Sequence, residues 1–184
     1  MKLFSKFGVD KVTIDDICAQ CSVTKGAFYH HFPSKDHIVT YAINHSMDRY
    51  LAQEYHPAEG NSLPARLLGL QQLCFSYFQQ LGKPMTRISY QSQISSLIEL
   101  KDESRFYVQN LASLVHEGIQ AGAFLCRLSE EACYMEHIAV FTGFLFKWAT
   151  TPEQLDPLYH WEAMLNELML GLFREEFRSR ELSV

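Results

Sequence analysis

Thr24-Lys25-Gly26-Ala27-Phe28-Tyr29-His30-His31 crowds several hydrogen-bonding groups into a short stretch of chain. Lys25 and Tyr29 can donate to phosphate oxygens, and Gly26 lets a backbone approach one closely. A helix amino terminus capped by Thr24 adds free N–H groups suited to an anion. Tyr29 and His30 can reach base edges, although neither is a strongly discriminating pair such as arginine with guanine. His31, with Thr13 upstream and Lys35 downstream, extends the same donor set. Together these groups would suit a grip on double-stranded DNA, against the plainer reading of a solvated helix face.

Other constellations point to less. Cys18-x-x-Cys21 followed by His30 and His31 suggests zinc, but adjacent histidines point to different sides of a helix and cannot converge on one ion. Cys18 reads as helix packing and Cys21 as a half-exposed thiol. Cys74, Cys126 and Cys133 read as core or surface thiols. His116-Glu117 and Glu136-His137 lack the spacing that puts two ligands on one helix face, and read as solvated. There is no nucleophile elbow, phosphate loop or dinucleotide fingerprint. No catalytic residue, metal or cofactor is expected.

These groups need helices to hold them, and helical periodicity runs through the chain with no alternation long enough for a sheet. Thr13 caps a helix at Ile14, Ser22-Val23 breaks it, and Thr24 caps the next, which Pro33 ends. Val23, Ala27, Phe28 and Phe32 form the inward side of that second helix, and Ala19 allows it a close approach. Ser34 opens a long helix to about Tyr55. Further helices are expected at 63–81, about 85–100, 103–121, 129–149 and 157–179. The fold class is all-α. Two short helices joined by a tight turn, with polar groups at the amino end of the second, fit a major groove.

The chain has 184 residues, 47% hydrophobic and 20% charged, enough to bury a core without disulfides. No segment reads as a membrane span or secretory signal, and an odd cysteine count suits a reducing cytoplasm. The net charge of −5 is unevenly spread: residues 1–45 carry +1 and the rest −6. That split is compatible with a small DNA-binding head over 1–45 attached to a larger body over 46–184.

In the body, Phe75 and Tyr90, with the stripe Phe106, Asn110, Ser113 and Glu117, offer the apolar lining and few polar groups that a ligand site wants. Phe141, Phe144, Leu145 and Trp148, with Trp161, Leu165, Leu168 and Leu172, form two stripes suited to a helix pair that meets its own copy. Core packing within one chain is the competing reading.

The segment Thr13 to Phe32, and above all Lys25-Gly26-Ala27-Phe28-Tyr29-His30-His31-Phe32-Pro33-Ser34-Lys35, resembles the helix-turn-helix of the TetR family of one-component transcriptional regulators. Leu3-Phe4 to Gly8 resembles the end of that family's first helix, followed by Thr13, Asp16 and Ile17 as the family has them. Gly118 to Phe124 also looks familiar. The resemblance implies an all-helical homodimer in which three helices bind a palindromic operator, middle helices enclose a small-molecule effector and the last two pair across the dimer. It implies a repressor. The family's first helix usually starts well before the Leu-Phe pair, so it is truncated here; residues preceding Met1 are the favoured explanation over a weakened head. The alternatives are a helical small-molecule-binding or interaction protein that does not bind DNA and, further off, a helical enzyme.

Overall fold

Side-chain oxygens open the helices. Thr13 caps α1 (Ile14–Cys21), Thr24 caps α2 (Lys25–His31), Ser34 caps α3 (Lys35–Glu54) and Ser62 caps α4 (Leu63–Leu81). In each, the hydroxyl accepts from an N–H three residues on, satisfying a donor that the helix itself leaves unpaired. Gly82, at φ 84°, turns the chain into α5 (Lys83–Ser96). Then come α6 (Phe106–Gln120), α7 (Glu130–Thr150), a 3-10 turn over Glu153–Leu158, α8 (Trp161–Leu170) and the short α9 (Glu175–Arg178). This computed structural model describes residues 11–96, 103–127 and 129–178. The expected first helix and the expected ends at Leu100 and Ser179 lie outside the described residues.

Several boundaries differ from expectation; the last helix, for one, starts at Trp161 rather than Pro157, which lies in the 3-10 turn. α5 starts at Lys83 rather than Met85, because Pro84 falls in the first turn, where a missing N–H costs nothing. α6 starts at Phe106 rather than Glu103, because its cap comes from another helix: Asp48 of α3 takes the Tyr107 N–H at 3.1 Å. The last helix is cut short at Leu170. There the chain turns at Gly171–Leu172 and is then strapped down, with Leu125 N–H donating to Leu172 O and Arg174 N–H to Ala123 O, around an isolated Phe124–Phe173 bridge.

α3 links the two ends of the molecule. Its first turns pack with α1 and α2 around Val12, Ile17, Cys18, Phe28 and Val39; its later turns lie against α4, α5 and α6. The boundary expected at 45/46 therefore falls inside an unbroken helix.

In the body, the rings of Phe144 and Trp148 from α7 stand edge-on to Phe75 at 5.0 and 5.4 Å, and Trp161 of α8 meets Phe144 at 6.0 Å. This corrects the expected dimer stripes. Phe141, Phe144, Leu145, Trp148, Trp161 and Leu165 are buried within the chain, whereas Leu168 is exposed and Leu172 half-buried. Helical periodicity marks an apolar face without saying whether that face meets its own chain or a copy. The outward sides of α7 and α8 carry Met135, Phe146, Met164 and Leu168 instead.

Candidate nucleic-acid interface and ligand cavity

The α1–α2 turn is built by backbone hydrogen bonds from Ser22 N–H to Ala19 O and from Val23 N–H to Cys18 O. Ser22 takes the left-handed conformation at φ 55° to close it. Phe28 is then the buried anchor of α2, with Phe32 against it and Tyr41 of α3 beyond. Val23 and Ala27 are exposed rather than inward, and so is Ala19. A seven-residue helix presents one narrow stripe to its neighbour, and Phe28 with Phe32 occupies it.

The opposite side of α2 brings the expected donors together. Thr24, Lys25, Gly26, Tyr29, His30 and His31 are all exposed, Tyr29 by 52% despite its apolar ring. Lys25 lies 2.8 Å from Asp15, whose hydrogen bond and charge hold the ammonium above the usual lysine value. Thr13 is exposed at the start of α1, in a reciprocal cap with Asp16. Its hydroxyl and N–H together hold the Asp16 carboxyl below the usual carboxylate value. Lys35 is half-buried and donates to Val12 O at 3.3 Å, which ties α3 to the entrance of α1.

Gly26 is informative. A Cβ there would meet only the Thr24 hydroxyl, at 3.8 Å, and its backbone is ordinary helix. Among the described residues nothing asks for glycine here, a residue that costs a helix about 1 kcal/mol relative to alanine.

A cavity of about 70 Å3 lies in the body, where α3 to α7 meet. Met47, Phe78, Phe141 and Leu145 give it an apolar wall; Asn44, Ser89 and Gln93 add polar groups. Tyr90 also lines it, and its hydroxyl donates to Thr142 O at 2.6 Å. Burial pushes that phenol up, so it stays neutral. Phe75, Phe106, Asn110, Ser113 and Glu117 are not part of this lining. Phe75 is core, Phe106 stands against Tyr55, Asn110 donates to Phe106 O, Ser113 is exposed, and Glu117 pairs with Arg66. α6 instead turns Tyr107 and Val108 to the cavity, about a quarter turn and about half a turn, respectively, from the expected stripe.

Arg105 and Asp48 were not legible as site residues. Arg105 lines the cavity while its Nε donates to Asp48 at 2.8 Å, and its Nη2 is buried with no acceptor among the described residues. The partners lie in different helices, so no local spacing announces them.

Cys126, Cys133 and Glu136 bring two sulfurs and a carboxylate oxygen within 4.8 Å of one another. Burial pushes the Cys133 thiol up to about 12, which opposes the thiolate that a metal needs. His137, expected on a solvated face, is buried against Phe124 at 4.8 Å, and its Nδ1 donates to Cys133 O at 2.8 Å. His116 is solvated as expected, 3.0 Å from Glu130. Among the described residues no helix is long and apolar enough to cross a membrane.

Residues 1–42 match the family model described as bacterial regulatory proteins, tetR family. The HTH-type transcriptional regulator UidR of Escherichia coli strain K12 is 34% identical over 59 residues, 32% of this chain and 30% of that regulator. YuxN of Bacillus subtilis strain 168, an uncharacterized HTH-type transcriptional regulator, is 35% identical over 49 residues, 27% of this chain and 17% of its own length. Each match thus spans less than a third of the relative. A TetR-family transcriptional regulator from Pectobacterium atrosepticum superposes with a TM-score of 0.62 at 25% identity, over 95% of this chain and 90% of that one. The transcriptional regulator FadR from Bacillus subtilis, solved in complex with stearoyl-CoA, superposes with a TM-score of 0.56, over 91% of this chain and 90% of that one. At 16% identity that second likeness is one of fold.

Proposed function

Since the chain belongs to the tetR family of bacterial regulatory proteins, we propose that it is a transcriptional repressor. In this reading it holds a palindromic operator as a homodimer and releases it when a small molecule enters the body. The observation that carries the reading is the exposed face of α2. Lys25, Gly26, Tyr29, His30 and His31 stand in solvent on a helix whose other side is anchored by Phe28. Close approach of a phosphate to Gly26 accounts for a glycine that none of the described residues requires. Thr13, Thr24 and Lys35 complete the grip. The protein acts by binding rather than turnover, in a cytoplasm that keeps its five cysteines reduced.

The effector site is the cavity between α3 and α7. At about 70 Å3 it is roughly half of the about 150 Å3 that takes a benzene-sized guest, so an effector must spread its walls. Asn44 and Met47 in those walls belong to α3, which leads directly to the head. Ser89, Tyr90 and Gln93 belong to α5, whose Ser92 donates to Asp36 in the first turn of α3 at 3.4 Å. Spreading the walls moves α3, and with it the spacing of two heads that must match major grooves about 34–36 Å apart. The second copy docks on the outward faces of α7 and α8. There Met135 and Phe146 flank Ala139 and Gly143, and a Cβ on Gly143 would meet nothing within 4 Å. Met164 and Leu168 extend the apolar face.

The test is to pass genome fragments over the purified chain at two salt concentrations and sequence what is retained. Recovery of a palindrome, weakened by salt and by Tyr29→Ala while the helical content stays unchanged, supports the reading. Retention that survives Tyr29→Ala overturns the assignment of α2, and retention of nothing overturns the regulator.

A further inference from the structure

Arg105 is held so that its charge is answered on one side only. Asp48 takes the Nε edge, while Nη2 is buried with no acceptor among the described residues, and Arg105 is one of the residues that line the cavity. In the same lining Asn44, Ser89 and Gln93 add polar groups, Gln93 Nε2 donating to Ser89 Oγ, and the remaining wall is largely apolar. An enclosed guanidinium N–H without an acceptor favours any guest that brings an oxygen.

Charge decides which kind of oxygen. Asp48 already balances Arg105, so a carboxylate guest would add an uncompensated negative charge to a mostly apolar cavity, close to the carboxylate of Asp48. The approach adds to the bias. A groove of about 460 Å3 on the outer side of α6 and α7 shares Val108 and Tyr134 with the cavity, so these two side chains partition groove from cavity. The groove is lined by Glu103, Glu130 and Glu131, with exposed His116 beside Glu130. Such a mouth repels anions. A neutral carbonyl satisfies Nη2 without either penalty.

The geometry points to a small neutral apolar carbonyl compound (a ketone, ester or lactone) as the ligand of this cavity, its oxygen received by Arg105 Nη2 and its entry passing Val108 and Tyr134. This rests on the reading of the cavity as the effector site and names the class of effector. Arg105 sets the choice of guest, and Asp48 sets the choice against acids.

Calorimetry on the full chain tests it with three carbonyl probes: acetophenone, 2-octanone and γ-octalactone. Each is compared with an acid and a hydrocarbon of similar skeleton: benzoate and ethylbenzene for the first, octanoate and octane for the others. The expected result is that at least one carbonyl probe binds about tenfold or more tighter than its acid and its hydrocarbon. Arg105→Lys, which keeps a cation for Asp48 but lacks the second arm of the guanidinium, loses that advantage. Acids or hydrocarbons binding equally well, no carbonyl probe binding, or full affinity in Arg105→Lys would each overturn the assignment. DNA retention, measured separately, tells the two failures apart. A chain that binds the carbonyl probe but no DNA loses the regulator reading and keeps this one; a chain that binds DNA but prefers acids does the reverse.

Discussion

Asp48 of α3 holds Arg105 at the entrance of α6, 57 residues away, with Nε to Oδ2 at 2.8 Å and both side chains nearly nine-tenths buried. The other oxygen of Asp48 takes the Tyr107 N–H, so one carboxylate both neutralises a buried cation and caps a helix that has no cap of its own. That joint ties the helix leading from the head to the helix that walls the cavity.

Removing one member of a buried pair leaves the other charged and alone. Asp48→Ala is expected to cost about 3–5 kcal/mol in urea unfolding. Asp48→Asn, which keeps an acceptor for the Tyr107 N–H, costs less. A loss below about 1 kcal/mol for alanine would put the pair with screened surface bridges.

Gly118 leaves no room for a side chain. A Cβ there would lie 2.1 Å from Cε2 of Phe124, a ring that itself packs on Phe173 and His137. Gly118→Ala is expected to destabilise by about 1–3 kcal/mol, lowering Tm by about 2–4 °C for each kcal/mol. Shrinking the ring in the double variant Gly118→Ala with Phe124→Leu should cost less than the two single losses added together. Simple additivity in thermal melts would show that the ring is not what the new methyl meets.

The self-association face can be separated from the core. Phe146→Asp and Leu168→Asp place charges on side chains about half exposed in the protomer, at 51% and 42%. Sedimentation should report folded monomers for both. Trp161→Asp buries a carboxylate at a position only 7% exposed and should unfold the chain instead. A well-folded Trp161→Asp would contradict the packing described above.

His137 makes stability depend on pH. Burial is the main reason its imidazole is held below the ordinary histidine value of about 6.5, against an opposing hydrogen bond to Cys133 O. The unfolded chain therefore takes up the proton at a higher pH than the fold does. The contribution is complete above about pH 6.5 and is lost as pH falls from there toward the lower folded value. Denaturant midpoints should decline over that window, and His137→Gln should flatten the decline. An unchanged slope in the variant would assign it to other groups.

Much of the fold was legible because its signals are local. A hydroxyl at Thr13, Thr24, Ser34, Ser62 or Ser129 reaches an N–H only three residues away, so the amino acid order alone marks where five helices begin. The exposed donors of α2 were legible for the same reason. On a helix of seven residues anchored by Phe28, Lys25, Tyr29 and His30 have nowhere to go but outward.

What the amino acid order left open was every feature whose partner is distant. The stripe from Phe144 to Trp148 has the same period whether it meets Phe75 or a second copy, and only the packing of α4 against it decided. Arg105 stands before a helix like any surface residue until Asp48 arrives from α3. The run Trp161 to Arg178 is helical by propensity, yet the helix stops at Leu170, where the chain is strapped down by the Phe124–Phe173 bridge. Helix starts and the polar face of α2 follow from short-range hydrogen bonding, which the sequence by itself determines. The core, the cavity and the joint between head and body depend on contacts between residues far apart in the chain, and these exist only once the helices have packed.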